Sequence, residues 1–243
     1  AYNGYAAKFN SQHAGDIEDG KVSAKPFSSA EFIEKASGIK ARYAYIKDGI
    51  LDIDRMRPRI PERTEGELSH QAEIALNAAK VALTEANKSP SDIDAVIVSC
   101  AYTERYYPAI AIEVQHALGI SGFGFDMLVA CSAATFALQR AYEMVASGTA
   151  KSVLVINPEL TSPQVNYQDR DSHFIFGDVS TATVVESSET CNSKHSYEIL
   201  GTKAITLYSN NIRSNFGYIT NSTDADPYAA DKFFQQEGRS VFK

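Results

Sequence analysis

Two stretches, "IDAVIVSC" (93–100) and "SVLVI" (152–156), are apolar almost without interruption. A half-buried strand alternates apolar and polar side chains, so a run that does not alternate must hide both faces. This demands a sheet covered by helices on either side, and the chain supplies the helices. Residues 68–87 place Leu68, Ala72, Ala75, Ala79, Ala82 and Ala86 at helical spacing. Pro108 is placed to open another helix and Gly119 to close it. "GFGFDM" (122–127) reads as a strand, 131–147 as a helix ending before Gly148, and "TATVVE" (181–186) and "EILGTKAITLYS" (198–209) as further strands. Regular alternation of strand and helix predicts an α/β fold with a mainly parallel sheet.

Outside that region the signals are local. "SSAEFIEKAS" (28–37) reads as a helix capped by Ser28 or Ser29 and stopped by Gly38. Between Tyr43 and Gly66 periodicity is lost, and "RMRPRIPER" sets Arg55, Arg57, Arg59 and Arg63 around Pro58 and Pro61, so an exposed, extended loop is expected. The chain has 243 residues, enough for one large domain or two smaller ones. A net charge of −7 argues against a nucleic-acid binder, which needs a basic face. No apolar run approaches the roughly 18 residues of a membrane span. Three cysteines without a CxxC pair suggest neither a disulfide framework nor a thiolate metal site, and they fit a reducing, cytoplasmic compartment. "GISGFGF" (119–125) precedes a strand instead of following one, so it is not a dinucleotide fingerprint.

"FDMLVACSAATFAL" (125–138) puts Cys131 between the strand and the helix. A thiol at the first turn of a helix meets unpaired N–H groups and the positive end of the dipole, which favour the thiolate. Ala130, Ser132, Ala133 and Ala134 are small enough to admit a substrate carbonyl beside backbone donors able to hold an oxyanion. On spacing alone an inert core thiol stands beside this reading, because free cysteine is commonly buried. Cys100 and Cys191 carry no functional signal.

"GFGFDMLVACSAATFAL" followed by "HFIFGDVSTATVV" resembles the β-ketoacyl-ACP synthase III family of the thiolase superfamily. "EFIEKASGIKAR", "YYPAIAIEVQHALGI", "VLVINPE" and "EGRSVFK" match in the same order, and the loop around 46–66 looks like an insertion. The resemblance implies a thiolase-like fold, five-layer α-β-α-β-α when complete, of which residues 1–190 are the first half and 191–243 the start of the second. It makes Cys131 the nucleophile that takes an acyl group from acyl-CoA or another thioester. A decarboxylative condensation with malonyl-ACP then follows, in fatty-acid or polyketide synthesis, with no metal or other cofactor. It implies a homodimer and acyl carrier protein as partner, with no nucleic acid and no membrane.

Some positions depart from the family pattern. Phe32 stands where the family stacks adenine on tryptophan, and Ala36 stands at a nearby arginine, while Arg170 is kept in the "DRxxxxxFGD" setting. The resemblance assigns Phe32 and Arg170 to CoA. It makes Tyr107 the aromatic that reaches the partner subunit's acyl pocket, and it leaves Arg55, Arg57, Arg59 and Arg63 to meet CoA phosphates or the acidic carrier, or to form a solvated charged loop. The histidine and asparagine that promote decarboxylation come from the second half, and none of the five histidines here sits in a His-x-x-Asn setting. His173, Phe176 and Asp178 read as structural. Two other functions remain open: a non-decarboxylating acyltransferase of the superfamily, and a non-catalytic partner subunit or interaction fragment. The beginning and end of the chain look like the interior of a longer protein.

Overall fold

The computed structural model describes residues 1–241, so Phe242 and Lys243 of "EGRSVFK" lie outside it. Helices α1 (Tyr2–Gln12), α2 (Ala14–Glu18), α3 (Ala30–Ser37) and α4 (His70–Glu85) precede strand β1 (Ala95–Cys100). Helix α5 (Ile110–Leu118), β2 (Phe123–Leu128), α6 (Ala133–Ala146), β3 (Ser152–Glu159) and β4 (Val179–Glu186) follow, then the short strands β5 (Ile212–Arg213) and β6 (Gln235–Gln236). The described residues pack as two compact units, one of residues 1–61, 161–178 and 207–241 and one of residues 62–160 and 179–206.

The second unit holds the four-stranded sheet, in the order β2-β1-β3-β4. β1 runs parallel to β2 and β3, and β4 returns antiparallel along β3. All six residues of β1 are buried. Val96, Val98 and Cys100, with Leu154 and Ile156 of β3, meet α4 and α5 through Ala72, Ala75, Ala79, Leu83, Ile110, Ala111 and Val114. Ala95, Ile97, Val153 and Val155 turn the other way, onto Ala137, Ala141 and Met144 of α6. Each of the larger aliphatics so hidden contributes about 1.5–3 kcal/mol. Alanines on both helical faces bring the helices close to the sheet.

The helices start where specific acceptors stand. Ser69 caps α4 by accepting the Ala72 N–H. Pro108 does not open α5: the helix begins at Ile110, because the Asp126 carboxylate of β2 accepts both the Ile110 and Ala111 N–H groups at 2.8 Å. Burial raises the pKa of Asp126, against the two N–H donors that lower it. Helix 131–147 is likewise shorter than expected: a 3₁₀ turn occupies Ala130–Ser132, and α6 starts at Ala133. Residues 198–209 form no strand; Leu200, Leu207 and Tyr208 are almost fully exposed. A strand needs a ladder partner, and none of the described residues pairs with this segment.

In the first unit, α3 has the expected caps: Ser29 accepts the Phe32 N–H, and Gly38 takes the left-handed conformation at φ 74°. The arginine-bearing loop is not simply exposed and extended. It folds over Met56 and Pro58, both buried, and Arg57 and Arg59 N–H groups donate to the Gly49 and Asp48 carbonyls at 3.3 and 2.8 Å. Asp178 of "FGD" ties three segments together. Its carboxylate accepts the Tyr45 and Ser162 N–H groups at 2.8 and 2.7 Å, and its own N–H donates to the Tyr43 carbonyl. Phe176 is half-buried, its ring edge-on to Phe234 at 4.7 Å.

Two substitutions test these supports. Asp126→Ala removes the acceptor for both N–H groups at the start of α5 and is expected to cost about 2 kcal/mol in urea unfolding. Gly177→Ala puts a methyl 2.8 Å from the Tyr43 carbonyl oxygen; the backbone must shift, and a lowered thermal midpoint equivalent to about 1–3 kcal/mol is expected.

Candidate active site

β1 and β2 end side by side, with Cys100 in register with Leu128. The carboxyl ends of parallel strands are where open α/β sheets hold ligands, and Cys131 lies three residues past that end of β2. Its side chain is exposed. The turn that presents it is strained: Ala130 has φ 46°, a left-handed conformation that costs an L-residue with a Cβ about 1–2 kcal/mol. Cys131 therefore stands in the 3₁₀ turn between strand and helix, two residues before α6 begins at Ala133.

The start of α6 is anchored from below. The Asn157 amide of β3 donates to the Ser99 carbonyl at 2.8 Å, and the buried Ser99 hydroxyl donates to the Ala133 carbonyl at 3.0 Å. These two bonds fix the first residue of the helix to the centre of the sheet, two positions after the thiol. The side chain of Ser132 does not cap α6, and the first turn carries no acid, so nothing there competes for an anion. The small residues beside the exposed thiol leave room for an acyl group, while the Ser132 and Ala133 N–H groups are taken up by the Val129 and Ala130 carbonyls of the 3₁₀ turn.

Cys100, at the end of β1, shows what a buried thiol looks like here. Burial, then the nearby Glu159 and Asp126 carboxylates, push it up to about 12. Such a thiol is inert as a nucleophile. Glu159 itself is raised by burial, and its carboxylate accepts the Ala101 N–H at 3.0 and 3.2 Å.

The other anticipated residues fall into both units. Tyr107 belongs to the second unit, on the connection between β1 and α5, with 90% of its surface exposed. Phe32 and Arg170 belong to the first, where the fold brings them together across a long stretch of sequence: the Arg170 guanidinium lies 4.5 Å from the centre of the Phe32 ring. Arg170 also donates to the Phe27 carbonyl at 3.1 Å and pairs with Asp171 at 3.2 Å. That spacing leaves no room for a third ring between the two, so a base would stack on an outer face or part them.

The four loop arginines each have a partner within the chain. Arg55 donates to the Arg57 and Pro58 carbonyls, Arg57 covers the Tyr228 ring at 4.4 Å, and Arg59 pairs with Asp52 and Asp48. Arg63, in the other unit, contacts Glu73, Glu67 and His70. His173 stacks on Tyr2 at 4.9 Å, with its Nδ1 against the Asp169 carbonyl, and burial lowers its pKa.

An open cleft of about 700 Å³ in the first unit is lined by Tyr2, Lys25, Asp169, Arg170 and Arg213 among others, and Cys131 is not part of it. Three features around the thiol left little trace in the sequence. Alanine is the wrong residue to advertise a left-handed backbone, and Ser99 and Asn157 are signalled only as polar interruptions of apolar strands. Among the described residues no helix is long and apolar enough to cross a membrane.

Residues 125–206, which include Cys131, match the family described as 3-oxoacyl-[acyl-carrier-protein (ACP)] synthase III. A β-ketodecanoyl-[acyl-carrier-protein] synthase of Pseudomonas aeruginosa is 49% identical over 243 residues, covering 100% of this chain and 69% of the relative. A β-ketoacyl-[acyl-carrier-protein] synthase III of Bartonella henselae is 37% identical over 175 residues, 70% of this chain and 52% of the relative. The solved 3-oxoacyl-[acyl-carrier-protein] synthase III of Aquifex aeolicus superimposes with a TM-score of 0.60 at 28% identity, over 88% of this chain and 58% of that one. The chain thus spans between about half and two-thirds of the length of these relatives, and its fold is part of a thiolase-like fold. With an exposed cysteine on the strand-to-helix turn and a relative nearly half identical across all of this chain, the chain belongs to the β-ketoacyl-ACP synthase III family of the thiolase superfamily.

Proposed function

We propose that this chain carries the acyl-accepting site of a 3-oxoacyl-ACP synthase III-type condensing enzyme. The observation that supports this most is Cys131: exposed, on a strained turn, at the carboxyl end of a mainly parallel sheet. In the reaction, the Cys131 sulfur attacks the carbonyl carbon of an acyl thioester and a C–S bond forms. Negative charge collects on the carbonyl oxygen, where a backbone N–H of the Cys131 turn stabilises it. Collapse of that intermediate expels the donor thiolate and leaves an acyl-enzyme. Condensation follows when malonyl-ACP loses carbon dioxide and its carbanion attacks the new thioester, releasing a 3-ketoacyl-ACP and the free thiol. The groups that promote decarboxylation in the family are not matched within this sequence.

Acyl-CoA is the donor we favour. Phe32 offers an aromatic face for adenine and Arg170 a cation beside it, held as one unit by their mutual contact. With Ala36 in place of an arginine, the phosphates have less charge to meet, and the loop arginines already have partners. We assign Tyr107 to the acyl pocket across a homodimer, and acyl carrier protein as the partner, in a cytoplasmic setting.

Intact-mass analysis after incubation with acyl-CoA should show one acyl group on the protein, lost in Cys131→Ala; an adduct that persists in the variant, or none in the wild type, would sink the reading. Phe32→Ala should raise the KM for acyl-CoA about tenfold, the scale of one base–aromatic stack, and leave acylation by an acyl-pantetheine, which has no adenine, unchanged. Equal losses with both donors would remove Phe32 from the CoA site.

A further inference from the structure

Gln71 is the first-turn residue of α4 that faces the sheet, and it is fully buried. Its amide oxygen accepts the Glu104 N–H at 2.5 Å, and its amide nitrogen donates to the Tyr102 carbonyl at 2.9 Å and to the Pro158 carbonyl of β3 at 3.2 Å. Glu104 answers by accepting the Gln71 backbone N–H at 2.8 Å. Leucine or methionine would fill the same space with no desolvation to offset, so an amide here serves geometry more than burial. What it holds is the connection from Cys100 to Ile110, which leaves the sheet at the same edge as the Cys131 turn.

That connection is fastened along its first half. Ala101 is held by Glu159, Tyr102 by Gln71 and by its hydroxyl on the Leu160 carbonyl, and Glu104 by Gln71. Arg105 lies 3.8 Å from Glu113, which is itself fixed by the Ser69 N–H and hydroxyl at 3.0 and 2.7 Å. Tyr106 and Tyr107 then project, 52% and 90% exposed. The position of Tyr107 is thus set by a rigid stem whose central fastening is one side chain on another element.

We propose that Gln71, with Glu104, is a positioning residue for acyl-chain selectivity: the reciprocal Gln71–Glu104 clamp fixes the stem from which Tyr107 reaches the acyl chain. This rests on the proposed reading of Cys131 as the acyl acceptor and of Tyr107 as a wall of the acyl pocket in a homodimer. Removing the amide takes the acceptor from the Glu104 N–H and one donor from each of the Tyr102 and Pro158 carbonyls, and the stem must rearrange to make up those bonds. A rearranged stem moves Tyr107 and changes how chain length is sensed, without touching the thiol.

The test compares acylation rates of Cys131 by acetyl-, hexanoyl- and decanoyl-CoA in the wild type, Gln71→Met, Glu104→Ala and Glu104→Gln. Gln71→Met and Glu104→Ala should each change the decanoyl-to-acetyl rate ratio about tenfold, the scale of losing buried hydrogen bonds. Alkylation of Cys131 by iodoacetamide should stay at the wild-type rate. Glu104→Gln keeps an acceptor for the Gln71 N–H and should retain the wild-type ratio. A uniform fall for all three donors, or an unchanged ratio in both Gln71→Met and Glu104→Ala, would overturn the proposal. A wild type that takes no acyl group from any donor would instead refute the acyl-acceptor reading, and the inference with it. Should Gln71→Met fail to fold, Glu104→Ala, at a half-exposed loop position, decides the matter alone.

Discussion

Strand β1 hides both of its faces from water, and the second unit is arranged around that condition. One face needs the alanine stripe of α4 and the start of α5, the other needs α6, and neither helix layer can be spared without exposing aliphatic side chains. Because β1 lies between two parallel neighbours, three chain segments leave the sheet at a single edge. The thiol turn follows β2, the tyrosine-bearing connection follows β1, and Glu159 closes β3. Their proximity at that edge is a consequence of parallel topology.

Polar groups at this edge do the finer positioning. Asn157 and Ser99 carry the register of the sheet into the first residue of α6, while Asp126 carries the register of β2 into α5. Gln71 and Glu104 do the same for the connection between β1 and α5. Buried polar bonds of this sort add little net stability, yet each is costly to leave unmade, so together they exclude alternative arrangements of the loops. The strain at Ala130 persists for a related reason: the strand below and the anchored helix above over-determine the turn between them.

Most of the elements of the second unit were legible from pattern. The non-alternating runs at 93–100 and 152–156, the alanine spacing in 68–87, and the glycines at 119 and 148 each mapped onto an element or its end, because burial and backbone conformation act locally on residue type. Helix starts were less legible. Pro108 advertised a beginning that Asp126, from a distant strand, placed at Ile110, and the small residues after Cys131 concealed a 3₁₀ turn. The apolar run at 198–209 read as a strand, but pairing is a property of two segments and cannot be read from one. The loop of arginines read as exposed because of its charge and prolines, whereas Met56 and Pro58 give it a small core and each guanidinium a partner inside the chain.

From residue order alone came the α/β class, the covered sheet, and the suspicion that one of three cysteines differs from the others. Those conclusions depend on periodicity and local context, which a linear string records. Only the tertiary structure separated an exposed Cys131 from a buried Cys100, set the Arg170 guanidinium against Phe32, and closed the Gln71–Glu104 clamp. Accessibility and long-range hydrogen bonding depend on which segments become neighbours in space, and that is decided by packing the whole unit rather than by any stretch of it.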